Sequence, residues 1–182
     1  MERNQMYALI LTLAREMLNK GSWCGETHLQ KAVYFLKEVF HIPIDFEYIL
    51  YKYGPFSFEL RDELTEMRAC SLFELMVKET GYGPSYVPTP KGGEFLEKHQ
   101  GTISDNLQSI DEISEKLGKK DVKDLEGMAT ALWIIRNDRV VGHNPDAITK
   151  EVTKYKPQIK DDDARESVKL TLKIISDANK SM

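Results

Sequence analysis

The spacing of apolar residues predicts two amphipathic helices at the start of the chain. The first has an apolar stripe at i, i+3, i+4, i+7 and i+11, formed by Met6, Leu9, Ile10, Leu13 and Met17. Gly21 and Ser22 are expected to end this helix. The second is expected to begin at Thr27, which has the capping-box spacing with Gln30, and to stop before Pro43. Its buried stripe is predicted to be Leu29, Val33, Leu36 and Phe40.

After the second helix the hydrophobic period changes from helical to alternating. Apolar and polar residues alternate over 44–52, which predicts a strand with one buried face. Gly54-Pro55 is expected to form the turn that follows, and Ser57 is placed to cap a third helix. The buried residues of that helix are predicted to be Leu60, Leu64 and Met67.

A β-hairpin and a fourth helix are predicted next. An apolar strand over 72–77, a glycine-rich turn and a return strand over 85–87 make the hairpin, whose wing spans 78–86. Thr89 precedes a proline at the first helical position, so a helix is expected from there to about His99. This order of elements, with the segment YVPTPKGGEFL, is typical of a winged helix-turn-helix.

The rest of the chain predicts helices only. Gln100-Gly101-Thr102 is expected to break the fourth helix. Further helices are predicted over about 104–117, 121–136, 145–155 and 161–178. We therefore expect a winged-helix-like part (1–101) and a helical part (102–182), packed on the first as one compact unit. The predicted fold class is α+β, mostly helical.

Composition narrows the function classes. The 182 residues carry a net charge of −4, and 41% of them are hydrophobic. No apolar run approaches the roughly 20 residues of a membrane span, and charges interrupt the N-terminal apolar stretch, so we expect neither a span nor a signal peptide. Two cysteines cannot form a disulfide framework, which favours a reducing, cytoplasmic location. Neither half of the chain is basic, which argues against nucleic-acid binding.

The stretch from Leu29 to Leu64 resembles the Panacea antitoxin family of phage-associated proteins. The similarity rests on a Leu-x-Lys-Leu-x-Tyr-like helix (Leu29, Lys31, Val33, Tyr34), an aromatic strand, and Tyr53-Gly54-Pro55 followed by a helix. The chain departs from the helix motif at Ala32, where the family usually has leucine. Weaker similarity extends through LEGMATALWII and KPQIKDDDA. The resemblance implies an antitoxin or proteolytic adaptor of a toxin–antitoxin or phage-related system, and it supplies no catalytic residue.

The alternative hypothesis is a winged-helix transcriptional regulator that binds DNA. Recognition helices meet phosphates and base edges with basic and amide side chains. The third helix offers only Arg61 and Arg68 against four acidic residues, and Lys78 and Lys91 are the other candidate DNA contacts. A surface of net charge −2 repels the phosphate backbone, so this hypothesis ranks second.

A ribonuclease ranks third. Arg136-Asn137 followed by His143 fits the loose Arg-x(4–6)-His spacing of HEPN-type ribonucleases, in which a cation and a histidine serve phosphate chemistry. A cation at a helix C-terminus is an equally good explanation for Arg136. No P-loop, dinucleotide fingerprint or nucleophile elbow occurs, and we expect no cofactor.

Metal binding is a weak hypothesis. Cys24 and His28 are spaced i, i+4, with His41 and Cys70 as further candidates, but this is not a known zinc spacing. Buried thiols and a surface histidine explain these residues better. Asp161 to Asp163 are better explained by the dipole of the last helix than by Mg²⁺.

Crowded aromatic residues supply the favoured hypothesis, a non-enzymatic module that binds a protein. Five aromatic side chains lie within eleven positions around Gly54-Pro55, and a strand with one buried face cannot bury them all. The alternative is that the C-terminal helices cover them. The predicted contact residues are Tyr51, Tyr53 and Phe56 as anchors, with Glu59 and Glu63 complementing a basic partner such as a toxin.

Overall fold

The computed structural model describes residues 1–77, 83–137 and 144–181. Lys78, most of the predicted wing and His143 therefore lie outside the described residues. Within them the chain forms eight helices and two two-stranded antiparallel sheets, which confirms the mostly helical α+β class. The elements are α1 (Arg3–Asn19), α2 (Glu26–Phe40), β1 (Ile49–Tyr51), β2 (Gly54–Phe56), α3 (Phe58–Ala69), β3 (Phe73–Met76), β4 (Ser85–Pro88), α4 (Pro90–Glu97), α5 (Gln100–Leu117), α6 (Val122–Asn137), α7 (Pro145–Tyr155) and α8 (Asp161–Ser181).

Helix α2 lies at the centre of the fold. It contacts α1, α5, α6 and β2, and its residues from His28 to Leu36 are buried on every side of the helix. The predicted stripe is confirmed at Leu29, Val33 and Leu36, but the burial extends far beyond one stripe. The capping box is wrong: Gly25 is the N-cap, and the Gln30 side chain is instead bonded to Ser57.

The strand predicted over 44–52 is mostly irregular. Ile44 and Phe46 are buried while Asp45 and Glu47 are exposed, so the alternation reflects real burial. Only Ile49–Tyr51 finds a partner strand, however, and a strand needs one to satisfy its backbone.

The turn predicted at Gly54-Pro55 is also wrong. The turn is Lys52-Tyr53, and Gly54–Phe56 returns as strand β2, with Leu50 opposite Pro55. Proline is tolerated there because both strands of a two-stranded sheet are edge strands.

The caps of the next two helices are confirmed. Ser57 Oγ accepts from Leu60 N at 3.2 Å at the start of α3, and Thr89 Oγ1 accepts from Gly92 N at 3.0 Å at the start of α4. The three predicted core residues of α3 are buried. Strands β3 and β4 pair from Phe73↔Pro88 to Met76↔Ser85. Strand β3 is shorter than the predicted 72–77, and strand β4 is one residue longer than the predicted 85–87.

The break between α4 and α5 falls earlier than the sequence indicated. Helix α4 ends at Glu97, and α5 already begins at Gln100, so Gly101 lies inside a helix instead of ending one. Helix α5 packs on α1 and α2, and the main core combines residues of both halves of the chain. A smaller apolar cluster joins α6, α7 and α8. Among the described residues, none of the helices has the length and hydropathy needed to cross a membrane.

Candidate functional site

The β1–β2 hairpin presents large apolar side chains to solvent. Tyr51 is 53% exposed, Tyr53 at the turn is 50% exposed, and Phe58 at the start of α3 is 41% exposed. Ile49 is also exposed, and Phe56 is half-buried. The C-terminal helices therefore leave these aromatic rings uncovered, although they pack beneath the hairpin backbone.

Three of the rings form one cluster. The centroid of Phe56 lies 5.1 Å from that of Phe58 and 5.8 Å from that of Tyr51, and Tyr51 lies 5.7 Å from Phe58. These are the tilted and edge-to-face distances at which aromatic pairs stabilise one another. The Arg61 guanidinium covers Phe58 at 5.0 Å. We call Tyr51, Tyr53, Phe56 and Phe58 the aromatic surface.

A buried ion pair holds the turn of the hairpin from below. Lys156, which follows α7, donates from Nζ to the carbonyl oxygens of Tyr51 and Lys52, at 2.8 and 2.6 Å. The same Nζ lies 3.2 Å from Glu126 Oε1 of α6, and both side chains are only 6% exposed. Gln158 Nε2 donates to that carboxylate oxygen at 2.8 Å. The hairpin is therefore bonded directly to the segment after α7 and, through Lys156, linked to α6.

Helix α2 holds the returning strand. Lys31 Nζ donates to the carbonyl of Pro55 at 2.8 Å. The Gln30 side chain makes two bonds to Ser57, donating to its carbonyl at 2.8 Å and accepting from its N–H at 2.9 Å. Five hydrogen bonds made by three buried side chains thus hold the turn of the hairpin and its returning strand in place.

Lys31 is buried as a cation without a direct carboxylate partner. Burial, and to a smaller extent repulsion by Lys156, lower its pKa to about 8 against the attraction of Glu126 and Glu26. Gly54 lets the strand approach this network. Its φ is +83°, and a Cβ there would lie 3.2 Å from Thr130 Oγ1, a buried hydroxyl without a hydrogen-bond partner.

The two predicted acidic contacts differ in availability. Glu59 is exposed, and its Oε2 accepts from Glu47 N at 2.8 Å. Glu63 is bonded within the fold: Arg3 donates to its Oε2 from two nitrogens, at 2.8 and 3.0 Å, and the Tyr7 hydroxyl donates to the same oxygen. The Glu63 carboxylate therefore ties α3 to α1.

The candidate DNA contacts that the structure describes lie on two helices, and one of them is paired with a carboxylate. Arg61 is paired with Asp62 at 3.2 Å and covers Phe58, while Arg68 and Lys91 are exposed on different helices. Lys78 lies outside the described residues.

Of the ribonuclease pair, the structure describes Arg136 alone. Arg136 donates to the carbonyl of Glu38, and its proposed partner His143 lies outside the described residues. Cys24 and His28 are buried and Cys70 is exposed, the reverse of the burial expected for His28 and Cys70. In the described ranges, no three His, Cys, Asp or Glu side chains gather where they could hold a metal ion.

Sequence reasoning missed the supports of the aromatic surface. Lys156 lies about 100 residues beyond the hairpin and Glu126 about 70 residues beyond it. No local sequence pattern covers such separations. Both nevertheless fall in the segments LEGMATALWII and KPQIKDDDA, to which the weaker family resemblance extends. That coincidence was the available signal.

No protein-family model matches the chain, and no curated protein matches it.

Proposed function

We propose that the chain is a non-enzymatic protein-binding module whose contact site is the aromatic surface of the β1–β2 hairpin. The observation that carries the proposal is the combination of three mutually packed aromatic side chains, two of them exposed, with a backbone that buried lysines hold in place. Exposed apolar patches on a soluble protein mark interaction sites. Rigid aromatic anchors bind with little loss of conformational entropy.

The charge beside this surface indicates the chemistry of the partner. Helix α3 follows the hairpin directly and carries Arg61 and Arg68 against four acidic residues, a net charge of −2. Glu59 and Glu66 are exposed on it. A basic partner, such as a nuclease toxin, would be steered to this side of the molecule. The resemblance to an antitoxin or proteolytic adaptor agrees with a partner of this kind.

Tyr53→Ala separates binding from folding. Because half of the Tyr53 side chain is already exposed, we expect the variant to lose about 1 kcal/mol of stability or less. If Tyr53 anchors the partner, the complex should weaken by about 2 kcal/mol, or roughly 30-fold in Kd. Urea denaturation measures the first quantity. Co-purification from the native host, followed by titration of the recovered partner, measures the second.

The matched control is Tyr155→Ala on α7, because Tyr155 is equally exposed at 50% but lies outside the aromatic surface. The proposal requires a partner that is lost with Tyr51→Ala and Tyr53→Ala and retained with Tyr155→Ala. A partner that all three variants retain equally would contradict it. Recovery of a specific duplex DNA in place of a protein would favour the winged-helix regulator.

A further inference from the structure

A second concave site lies on the other side of α2, and nothing in the proposed function uses it. It is a cavity of about 240 Å³ bounded by α2, the irregular segment before β1 and the C-terminal end of α6. The side chains that matter to its chemistry are Tyr34, Lys37, Glu38, Tyr48, Trp133 and Arg136. Ligand pockets for whole drug-sized molecules are larger, about 300 Å³ and above. This cavity has room for one small group.

The side chain of Tyr34 lines this cavity and can offer its hydroxyl group to a ligand. The Tyr34 side chain is only 2% exposed, and its hydroxyl makes no hydrogen bond within the part of the chain that the structure describes. The ring is fixed by its neighbours, with centroid distances of 4.8 Å to Tyr48 and 6.3 Å to Trp133. Burial raises the pKa of Tyr34, so the hydroxyl keeps its proton. The hydroxyl is therefore a hydrogen-bond donor at a fixed position in the lining of the cavity.

Two cations line the same cavity with donors to spare. Lys37 Nζ donates one hydrogen bond to the carbonyl of Phe46, and Arg136 Nη2 donates one to the carbonyl of Glu38, each at 2.5 Å. An ammonium group has three donors and a guanidinium has five, so most remain for a ligand. Among the lining residues that the structure describes, Glu38 is the one carboxylate, so their charges sum to +1.

This balance decides between two ligand classes. Three aromatic rings alone would suit a cation. The positive charges of Lys37 and Arg136 in the lining would repel one. We propose that the cavity binds a small oxyanion, the phosphate or carboxylate group of a ligand, through Lys37, Arg136 and the Tyr34 hydroxyl. Arg136 supplies paired N–H donors, the geometry that such anions accept best.

The two tryptophans give the experiment a probe and an internal control. Trp133 lines the cavity, whereas Trp23 lies beside β4 and donates to Gly83. Titration of the wild-type chain with sodium phosphate, and separately with sodium acetate, is followed in ¹H–¹⁵N spectra at constant ionic strength, since salt screens exposed charges. We expect a saturable shift of the Trp133 indole resonance that the Trp23 resonance does not share. Saturation by phosphate alone or by acetate alone identifies the group.

Variants test the assigned donors. Arg136→Gln should weaken binding about 10-fold, equivalent to about 1.4 kcal/mol. Tyr34→Phe should weaken it about threefold or more while leaving stability unchanged, because the hydroxyl has no partner to lose. Glu38→Gln should tighten binding. Lys169→Gln, a change of an exposed cation on α8, is the charge control. The proposal is overturned if neither anion saturates the Trp133 shift up to about 50 mM. It is also overturned if Arg136→Gln behaves like the control.

Discussion

Replacing Lys156 by methionine tests whether the buried ion pair supports the aromatic hairpin. The substitution keeps the length and much of the apolar surface of the side chain but removes its charge. It removes two hydrogen bonds to the carbonyls of Tyr51 and Lys52 and leaves Glu126, at 6% exposure, without its ion-pair partner. The remaining direct donor to that carboxylate is Gln158.

The expected loss of stability follows from the stranded carboxylate. Breaking a buried pair by removing one partner costs about 3–5 kcal/mol. The carboxylate can avoid that cost by taking up a proton, and near pH 7 this costs a glutamate about 3–4 kcal/mol. The turn carbonyls lie close to solvent and can be hydrated, so they add little. We therefore expect Lys156→Met to lose about 3–4 kcal/mol at pH 7.

Urea denaturation followed by circular dichroism at pH 7 and pH 5 measures this loss. Because protonation of Glu126 becomes easier as the pH falls, the deficit of Lys156→Met relative to wild type should shrink by about 2 kcal/mol between pH 7 and pH 5. Adding Glu126→Gln should also recover part of it. Lys169→Met, which removes an exposed cation 3.5 Å from Glu166, should change stability by about 0.5 kcal/mol or less. A loss below about 1 kcal/mol at pH 7, or a deficit independent of pH, would refute the reasoning.

Three further predictions concern the same region and the charge of the surface. Gly54→Ala should lower the free energy of unfolding, measured with urea, by about 2 kcal/mol or more, because φ is +83° and the new Cβ would meet Thr130. Gly93→Ala, in the open middle of α4, should raise it by about 0.5–1 kcal/mol. Equal effects of the two substitutions would contradict this reasoning. Lys31 has a folded pKa near 8, below its unfolded value, so the folded state binds fewer protons and its stability should rise by about 2 kcal/mol from pH 7 to 9.5; Lys31→Met should lack that rise. Finally, micromolar protein should not retard random duplex DNA at physiological salt, and clear retardation in a gel shift would reverse the ranking of protein over DNA binding.

Local signals predicted the elements well where the chemistry of an element was itself local. Ser57 and Thr89 cap the helices that they were expected to cap, because a cap needs only its own helix. Thr27 and Gln30 carry an equally good capping signal, yet Gln30 is bonded to Ser57, which is 27 residues away. The Gln30 side chain forms hydrogen bonds to a distant residue instead of the local bond that a capping box requires. The same reason explains the turn at Lys52-Tyr53, because Gly54 is needed where the strand meets α6.

Exposure of the aromatic surface could be suspected from the sequence but not decided. The alternation over 44–52 says that one face is buried, and it does not say what covers the other face. Tyr48 and Tyr51 illustrate the limit: Tyr48 is packed against Tyr34, while Tyr51 is more than half exposed. That difference depends on where α2 and the C-terminal helices lie, which is information about distant parts of the chain.

The residues that carry the family resemblance and the proposed contact residues have different positions in the hairpin region: the former are buried and the latter include the exposed rings. Lys31 and Gly54-Pro55, which carry the resemblance, meet in the structure: Lys31 binds the Pro55 carbonyl, and Gly54 allows the close approach. Those residues are buried, so a partner cannot reach them, and their role is to hold the strand. Under the proposed function, we expect partner specificity to depend on the exposed rings at the tip, above all Tyr51 and Tyr53. Proteins that share the buried motif can therefore share the hairpin and still bind different partners, and the side chains to compare between them are those at the turn.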